Sequence, residues 1–125
     1  MAGTRPKILV VEDNKETQLI IKVALRDRFE LHLVTNASDA IASLSNQIFN
    51  LVLLDLNLEG KNEGKNILKV IREEMKNSEL PVVITTAYDL KPDDEKFFQK
   101  NANGFVPKPF DKKVLLDILN NILSQ

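Results

Sequence analysis

Three features of the chain predict an α/β fold built on a five-stranded, mainly parallel sheet with helices on both faces. Apolar runs of strand length alternate with segments whose apolar residues recur at three- and four-residue steps. The runs ILVV (8–11), LVLL (51–54) and VVI (82–84) are apolar at successive positions, the pattern of central strands buried on both faces. Polar residues with reactive side chains cluster just beyond these runs, where open parallel sheets place their sites.

The elements follow in order. Lys7–Val11 reads as the first strand, and Thr17, Ile20, Ile21, Ala24 and Leu25 then form a helix stripe. Phe29–Thr35 resumes strand character but mixes polar residues into the run, which suits a sheet edge and turns His32 outward. Asn36 and Ser38 are capping types ahead of Asp39–Ser45, whose stripe is Ala40, Ile41 and Leu44. Asn50–Leu54 is the third strand and stops at an acid, Asp55. After a loop over Leu56–Glu63, the segment Gly64–Met75 supplies Ile67, Leu68 and Ile71 as a third helix face. Pro81–Thr85 is the fourth strand, with proline tolerated at its first position, and Asp93–Lys100 a short fourth helix. Gly104–Pro107 is a fifth strand whose proline cannot donate to a ladder and so belongs at an edge. Asp111 caps the final helix, Asp111–Leu123. The reading leaves residues 1–6 as a short tail and 7–125 as one domain.

Composition narrows the function classes. With 125 residues the chain can bury about 65–70% of its unfolded surface without a covalent staple. Seventeen basic residues stand against 18 acidic ones, a net charge of -1, which argues against a domain devoted to coating nucleic acid. There is no cysteine, which excludes disulfides, thiolate zinc sites and a cysteine nucleophile. No apolar stretch approaches the roughly 20 residues of a membrane span, and the MAGTRP start lacks the apolar core of a signal peptide. The expectation is a cytoplasmic protein with no membrane insertion and no direct nucleic-acid contact.

Glu12 and Asp13 follow the first strand, Asp55 the third, Thr86 the fourth and Lys108 the fifth. Each has an ordinary explanation by itself; Asp13 or Asn14, for instance, can cap the helix that follows. Their convergence at one sheet edge is harder to explain as capping. Three carboxylates in a small volume call for a hard cation, and oxygen ligation suits magnesium or manganese better than zinc. A lysine and a hydroxyl beside that cation make a receptor for a phosphoryl group. With no cysteine, and His32 on an edge strand, a carboxylate is the candidate nucleophile, and Asp55 at the end of the most apolar strand is the best placed.

From KILVVEDN through DLNL and ITTAY to GFVPKPF, the chain resembles the receiver domains of two-component response regulators, across nearly its whole length. The resemblance implies a flavodoxin-like sheet of order 2-1-3-4-5 with five helices. It implies that Asp55 accepts a phosphoryl group from a sensor histidine kinase or a phosphotransfer protein. Asp13 and Asp55 would ligate magnesium together with the backbone carbonyl of Asn57, with Glu12 acting mostly through bound water. Lys108 would pair with Asp55 and then with the phosphoryl oxygens, and the Lys108–Pro109 bond is expected to be cis. Thr86 would be the switch hydroxyl and Phe105 the switch aromatic. The output would lie on the face of the fourth helix, fifth strand and fifth helix, where a downstream protein binds. Such a domain is a signalling phosphoacceptor that catalyses only its own phosphoryl transfer and dephosphorylation, the latter tuned by Asn57 and Tyr88.

One departure stands out. Family members commonly carry a proline four residues after the acceptor and then an Asp-Gly pair. This chain has Glu59 there and reads EGKNEG, a loop one residue longer with Glu63-Gly64 as its closing pair. Two other readings compete. A haloacid-dehalogenase-type phosphatase also uses a strand-end aspartate but carries a second aspartate two residues on, where this chain has Asn57. A degenerate receiver serving only as a docking or dimerisation module would have lost an acid or the lysine.

Overall fold

Alternation along the strands sorts the apolar side chains into two separate cores. Lys7–Val11 (β1), Glu30–Val34 (β2), Leu51–Asp55 (β3), Val82–Thr86 (β4) and Gly104–Pro107 (β5) pair in parallel in the order β2-β1-β3-β4-β5. The helices are Lys15–Leu25 (α1), Ala37–Asn46 (α2), Glu63–Lys69 (α3), Pro92–Asn101 (α4) and Lys112–Leu123 (α5). Because successive strand residues point to opposite faces, Leu9 and Val11 pack with Ile67, Leu68 and Phe98 of α3 and α4. Ile8 and Val10 pack with Ile21 and Leu25 of α1 and Leu115 of α5 on the other face. All five residues of β3 are buried, as its unbroken apolar run requires. The computed structural model describes residues 5–56, 58, 63–86 and 91–124, without the side chain of Thr86.

The expected doubly wound sheet is therefore the observed one, with boundaries that differ by a residue. Asp55 and Thr86 are the last residues of β3 and β4, in register with Thr85 and Pro107, rather than the first residues beyond them. On α1 the stripe differs from expectation: Ile21, Ala24 and Leu25 are buried, but Ile20 is 51% exposed, beside Leu19 and Val23. His32 does not turn outward either. It is half-buried under α2, with Nε2 3.1 Å from Ser43 Oγ and its ring 5.8 Å from that of Phe49. An edge strand in a doubly wound sheet still has helices over it, so exposure there is not a matter of strand alternation alone.

The third helix is not α-helical throughout. Val70–Glu74 forms a π-helical turn, closed by the Met75 N–H on the Val70 carbonyl, and the chain leaves it through Lys76 at φ 52°. Arg72 in this turn binds the segments that enter β4 and β5. Its Nε donates to the Asn101 carbonyl at 2.9 Å, Nη1 to the carbonyls of Asn77 and Leu80 at 2.8 and 2.7 Å, and Nη2 to Asn103 Oδ1 at 2.9 Å. In helix α4, Phe98 is the buried residue, no side chain caps the N-terminus, and Lys65 Nζ of α3 meets Asp94 Oδ1 at 2.6 Å. Lys65 and Lys69 also stand 5.3 and 5.7 Å from the centroid of the Phe97 ring.

Candidate functional site

The parallel order puts the C-terminal ends of β1 and β3 side by side, and this adjacency builds the site. Glu12 directly follows β1, and its N–H donates to the Val34 carbonyl of β2 at 3.0 Å. Asn14, not Asp13, caps α1: its Oδ1 accepts from the Thr17 N–H at 2.9 Å. That frees Asp13 from the capping role. Carboxylate oxygens of Glu12, Asp13 and Asp55 lie within 4.8 Å of one another, with Glu12 and Asp55 buried and Asp13 half-buried.

Lys108 comes to this cluster from the end of β5. Its Nζ is 2.9 Å from Glu12 Oε1 and 3.4 Å from Asp55 Oδ1, and the Lys108–Pro109 bond is cis. Glu12 and Asp55 thus share this ammonium. Burial pushes the Glu12 carboxyl above its usual range, the Lys108 hydrogen bond pulls it back, and the nearby Asp55 charge adds to the rise. Burial pulls Lys108 down, but Glu12 and Asp55 together outweigh it and hold the ammonium above the ordinary lysine range. Lys108 therefore stays charged.

Three clustered carboxylates, an all-oxygen donor set, fit a hard divalent cation. Two oxygens on one octahedral magnesium lie at most about 4.2 Å apart, so a spread of 4.8 Å closes on one ion with small side-chain rotations or a bridging water. Gly64, at the start of α3, shows how closely the end of β3 is packed. A Cβ there would lie 2.6 Å from the Asp55 carbonyl oxygen and from Leu56 Cα, and the Gly64 N–H bonds the Leu56 carbonyl at 3.2 Å. Only glycine fits at this close backbone approach.

The chain matches the family model described as "Response regulator receiver domain" over residues 8–120. It belongs to the receiver domain family. Among curated relatives, it is 25% identical over 118 residues to the heme response regulator HssR of Staphylococcus saprophyticus, covering 94% of this chain and 51% of the relative. It is 28% identical over 122 residues to hybrid signal transduction histidine kinase I of Dictyostelium discoideum, covering 91% of this chain but 7% of the relative. The receiver thus spans about half the length of the first relative and a small part of the second. Among solved structures, the receiver domain of a Pseudomonas aeruginosa PAO1 sensor histidine kinase, with a magnesium ion coordinated in its active site cleft, superimposes with a TM-score of 0.85 at 28% identity. That match covers 98% of this chain and all of the other. The fold, its strand order and its place in two-component signalling follow from the family.

Of the residues singled out in the sequence, this receiver brings together Glu12, Asp13, Asp55 and Lys108. Phe105 lies on the edge strand β5 and is 37% exposed. Asn57, Tyr88 and the loop 59–62 lie outside the described residues, as does the Thr86 side chain, although Thr86 itself ends β4. Two polar residues that the sequence did not single out brace the architecture: Arg72, described above, and Gln18 of α1, whose Nε2 donates to the Glu12 carbonyl at 2.6 Å. The signal for Gln18 was a polar residue at three- and seven-residue spacing from Ile21 and Leu25, on the buried stripe of α1. Among the described residues, no helix is long and apolar enough to cross a membrane.

Proposed function

We propose that this receiver is an active, magnesium-dependent phosphoacceptor, in which Asp55 takes a phosphoryl group from a phosphohistidine. The observation that carries this reading is the meeting of three carboxylates and one lysine at adjacent strand ends. Asp55 is 5% exposed at the end of a fully buried strand, which holds its carboxylate at the C-terminal edge of the sheet on a rigid base. In the transfer, an Asp55 oxygen attacks phosphorus, a P–O bond forms, the P–N bond to the donor imidazole breaks, and that nitrogen keeps the electron pair. Lys108 follows the developing negative charge from Asp55 to the phosphoryl oxygens. Asp13, Asp55 and the Asn57 carbonyl would hold magnesium, with Glu12 acting through water, and the ion would supply positive charge to the phosphoryl oxygens.

The switch then rests on Thr86 and Phe105. The acyl phosphate adds acceptor oxygens that draw the Thr86 hydroxyl inward, and Phe105 turns in from its exposed position to fill the space left behind. The face of α4, β5 and α5 changes, and a downstream protein reads it. Asn57 and Tyr88 flank the approach of the hydrolytic water and set the lifetime of the phosphorylated state. The donor is a sensor histidine kinase or a phosphotransfer protein in the cytoplasm. Presence of all three acids and the lysine within reach of one another argues for this reading over a degenerate docking module.

Incubation with a phosphorylated histidine donor tests the assignment. Wild type is expected to label in the presence of magnesium, and Asp55→Asn, which keeps the shape but lacks the nucleophile, is expected not to. Equal labelling of the two would overturn the assignment of Asp55.

A further inference from the structure

We propose that Gln18 is a positioning residue for the cation site, which orients the Asp13 carboxylate by holding the peptide group just before it. This inference rests on the reading of Glu12, Asp13 and Asp55 as a cation site. Asp13 lies between β1 and α1, outside both, so neither ladder nor helix fixes its backbone. Two hydrogen bonds hold the peptide units on its two sides. The Glu12 carbonyl accepts from Gln18 Nε2 at 2.6 Å, and the Asn14 N–H donates to Glu12 Oε2 at 3.2 Å.

These two clamps differ in kind. The second uses a carboxylate that also takes a 2.9 Å bond from Lys108 and belongs to the acid cluster. Any rotation of Glu12 toward a cation, or any movement of Lys108 toward a phosphoryl group, weakens it. The first uses a neutral amide outside the cluster, on a helix anchored through Ile21, Ala24 and Leu25. It holds whatever the charge state of the site. Gln18 N–H also donates to the Asn14 carbonyl at 2.9 Å, so one residue ties both ends of the Glu12–Asn14 segment to α1. A ligand carboxylate on a backbone pinned in this way loses less freedom when it binds an ion, and affinity gains accordingly.

The test measures magnesium affinity by calorimetry in wild type, Gln18→Met and Asp13→Ala, and the folded state of each by circular dichroism. Methionine keeps the length and bulk of glutamine but removes the donor. Gln18→Met is expected to keep its fold and to bind magnesium about 10-fold more weakly. Without metal, its Asp13 amide proton is expected to exchange with solvent faster than in wild type, a readout independent of any phosphoryl chemistry. A folded Gln18→Met with wild-type affinity and unchanged exchange overturns the proposal while leaving the cation site intact. If wild type binds no more magnesium than Asp13→Ala, the reading of the site fails and the proposal with it. Should the methionine variant not fold, the wild type answers alone. Its Gln18 side-chain amide protons are expected to be protected from exchange and to shift on magnesium addition, and rapid exchange with no shift overturns the proposal.

Discussion

The Lys108 ammonium lies closer to Glu12, at 2.9 Å, than to Asp55, at 3.4 Å. In the metal-free protein its main partner is thus the most deeply buried acid of the cluster, only 1% exposed. Removing the ammonium leaves that carboxylate without its cation. Lys108→Met is therefore expected to lower metal-free stability by about 1–3 kcal/mol, measured by urea unfolding. Magnesium should restore most of the loss, because the ion supplies the missing charge. The same variant should still bind magnesium yet respond less to beryllofluoride at the α4, β5 and α5 face, as monitored by amide shifts.

The raised Glu12 pKa predicts how acid affects the site. The folded, metal-free protein holds the Glu12 proton more tightly than the unfolded chain does, so this group's contribution to stability grows as pH falls into its titration range. Magnesium competes with the same proton. Saturating magnesium at neutral pH, at about 100 times its dissociation constant, stabilises by about 2.7 kcal/mol, and this increment is expected to shrink on acidification toward pH ~5. Urea midpoints with and without magnesium at the two pH values check it; an increment that grows on acidification would contradict the assignment.

Gly64 predicts a steric penalty next to the acceptor. Its missing Cβ would sit 2.6 Å from the Asp55 carbonyl oxygen, against backbone that cannot rotate away. Gly64→Ala is expected to cost about 1–3 kcal/mol and to displace the acceptor, seen as a lower thermal midpoint together with slower labelling.

Lys76 predicts the opposite sign. It adopts φ 52° just after the Met75 cap, a conformation that costs an L side chain about 1–2 kcal/mol. Lys76→Gly is expected to raise stability by up to about 1 kcal/mol once the greater freedom of glycine in the unfolded chain is subtracted. A urea midpoint unchanged or lowered would show that the lysine side chain contributes more than its backbone loses.

Most of the sheet was legible in the sequence because buried parallel strands leave unbroken apolar runs, and Ile8–Val11, Leu51–Leu54 and Val82–Ile84 are such runs. The meeting of Glu12, Asp13, Asp55 and Lys108 was legible for a related reason: a residue that ends a parallel strand has its place set by strand order. Helix faces were less so. α1 carries apolar residues around most of its circumference, so periodicity did not distinguish buried Ile21 from exposed Ile20. His32 was misplaced because its half-buried setting depends on Ser43 and Phe49, which are remote in sequence. Arg72 and Gln18 left almost no trace, since their partners are mostly backbone carbonyls, which carry no residue type.

Arg72 has a mechanical consequence. All four of its bonds fall at the N-terminal edge of the sheet, where the chain leaves α4 and enters β4 and β5, opposite the edge that carries the acids. One of them holds the last residue of α4, while the first turn of that helix is tethered to α3 through Lys65 and Asp94. Among the described residues, Arg72 thus moors the helix at its tail and Lys65 near its start, an arrangement that favours tilting about the tail over sliding. With 10 residues it is a lever about 15 Å long, and a tilt of about 10° would carry its free end about 2–3 Å. Displacement at its far end would exceed displacement at its tail, where Arg72 holds the segments that enter β4 and β5.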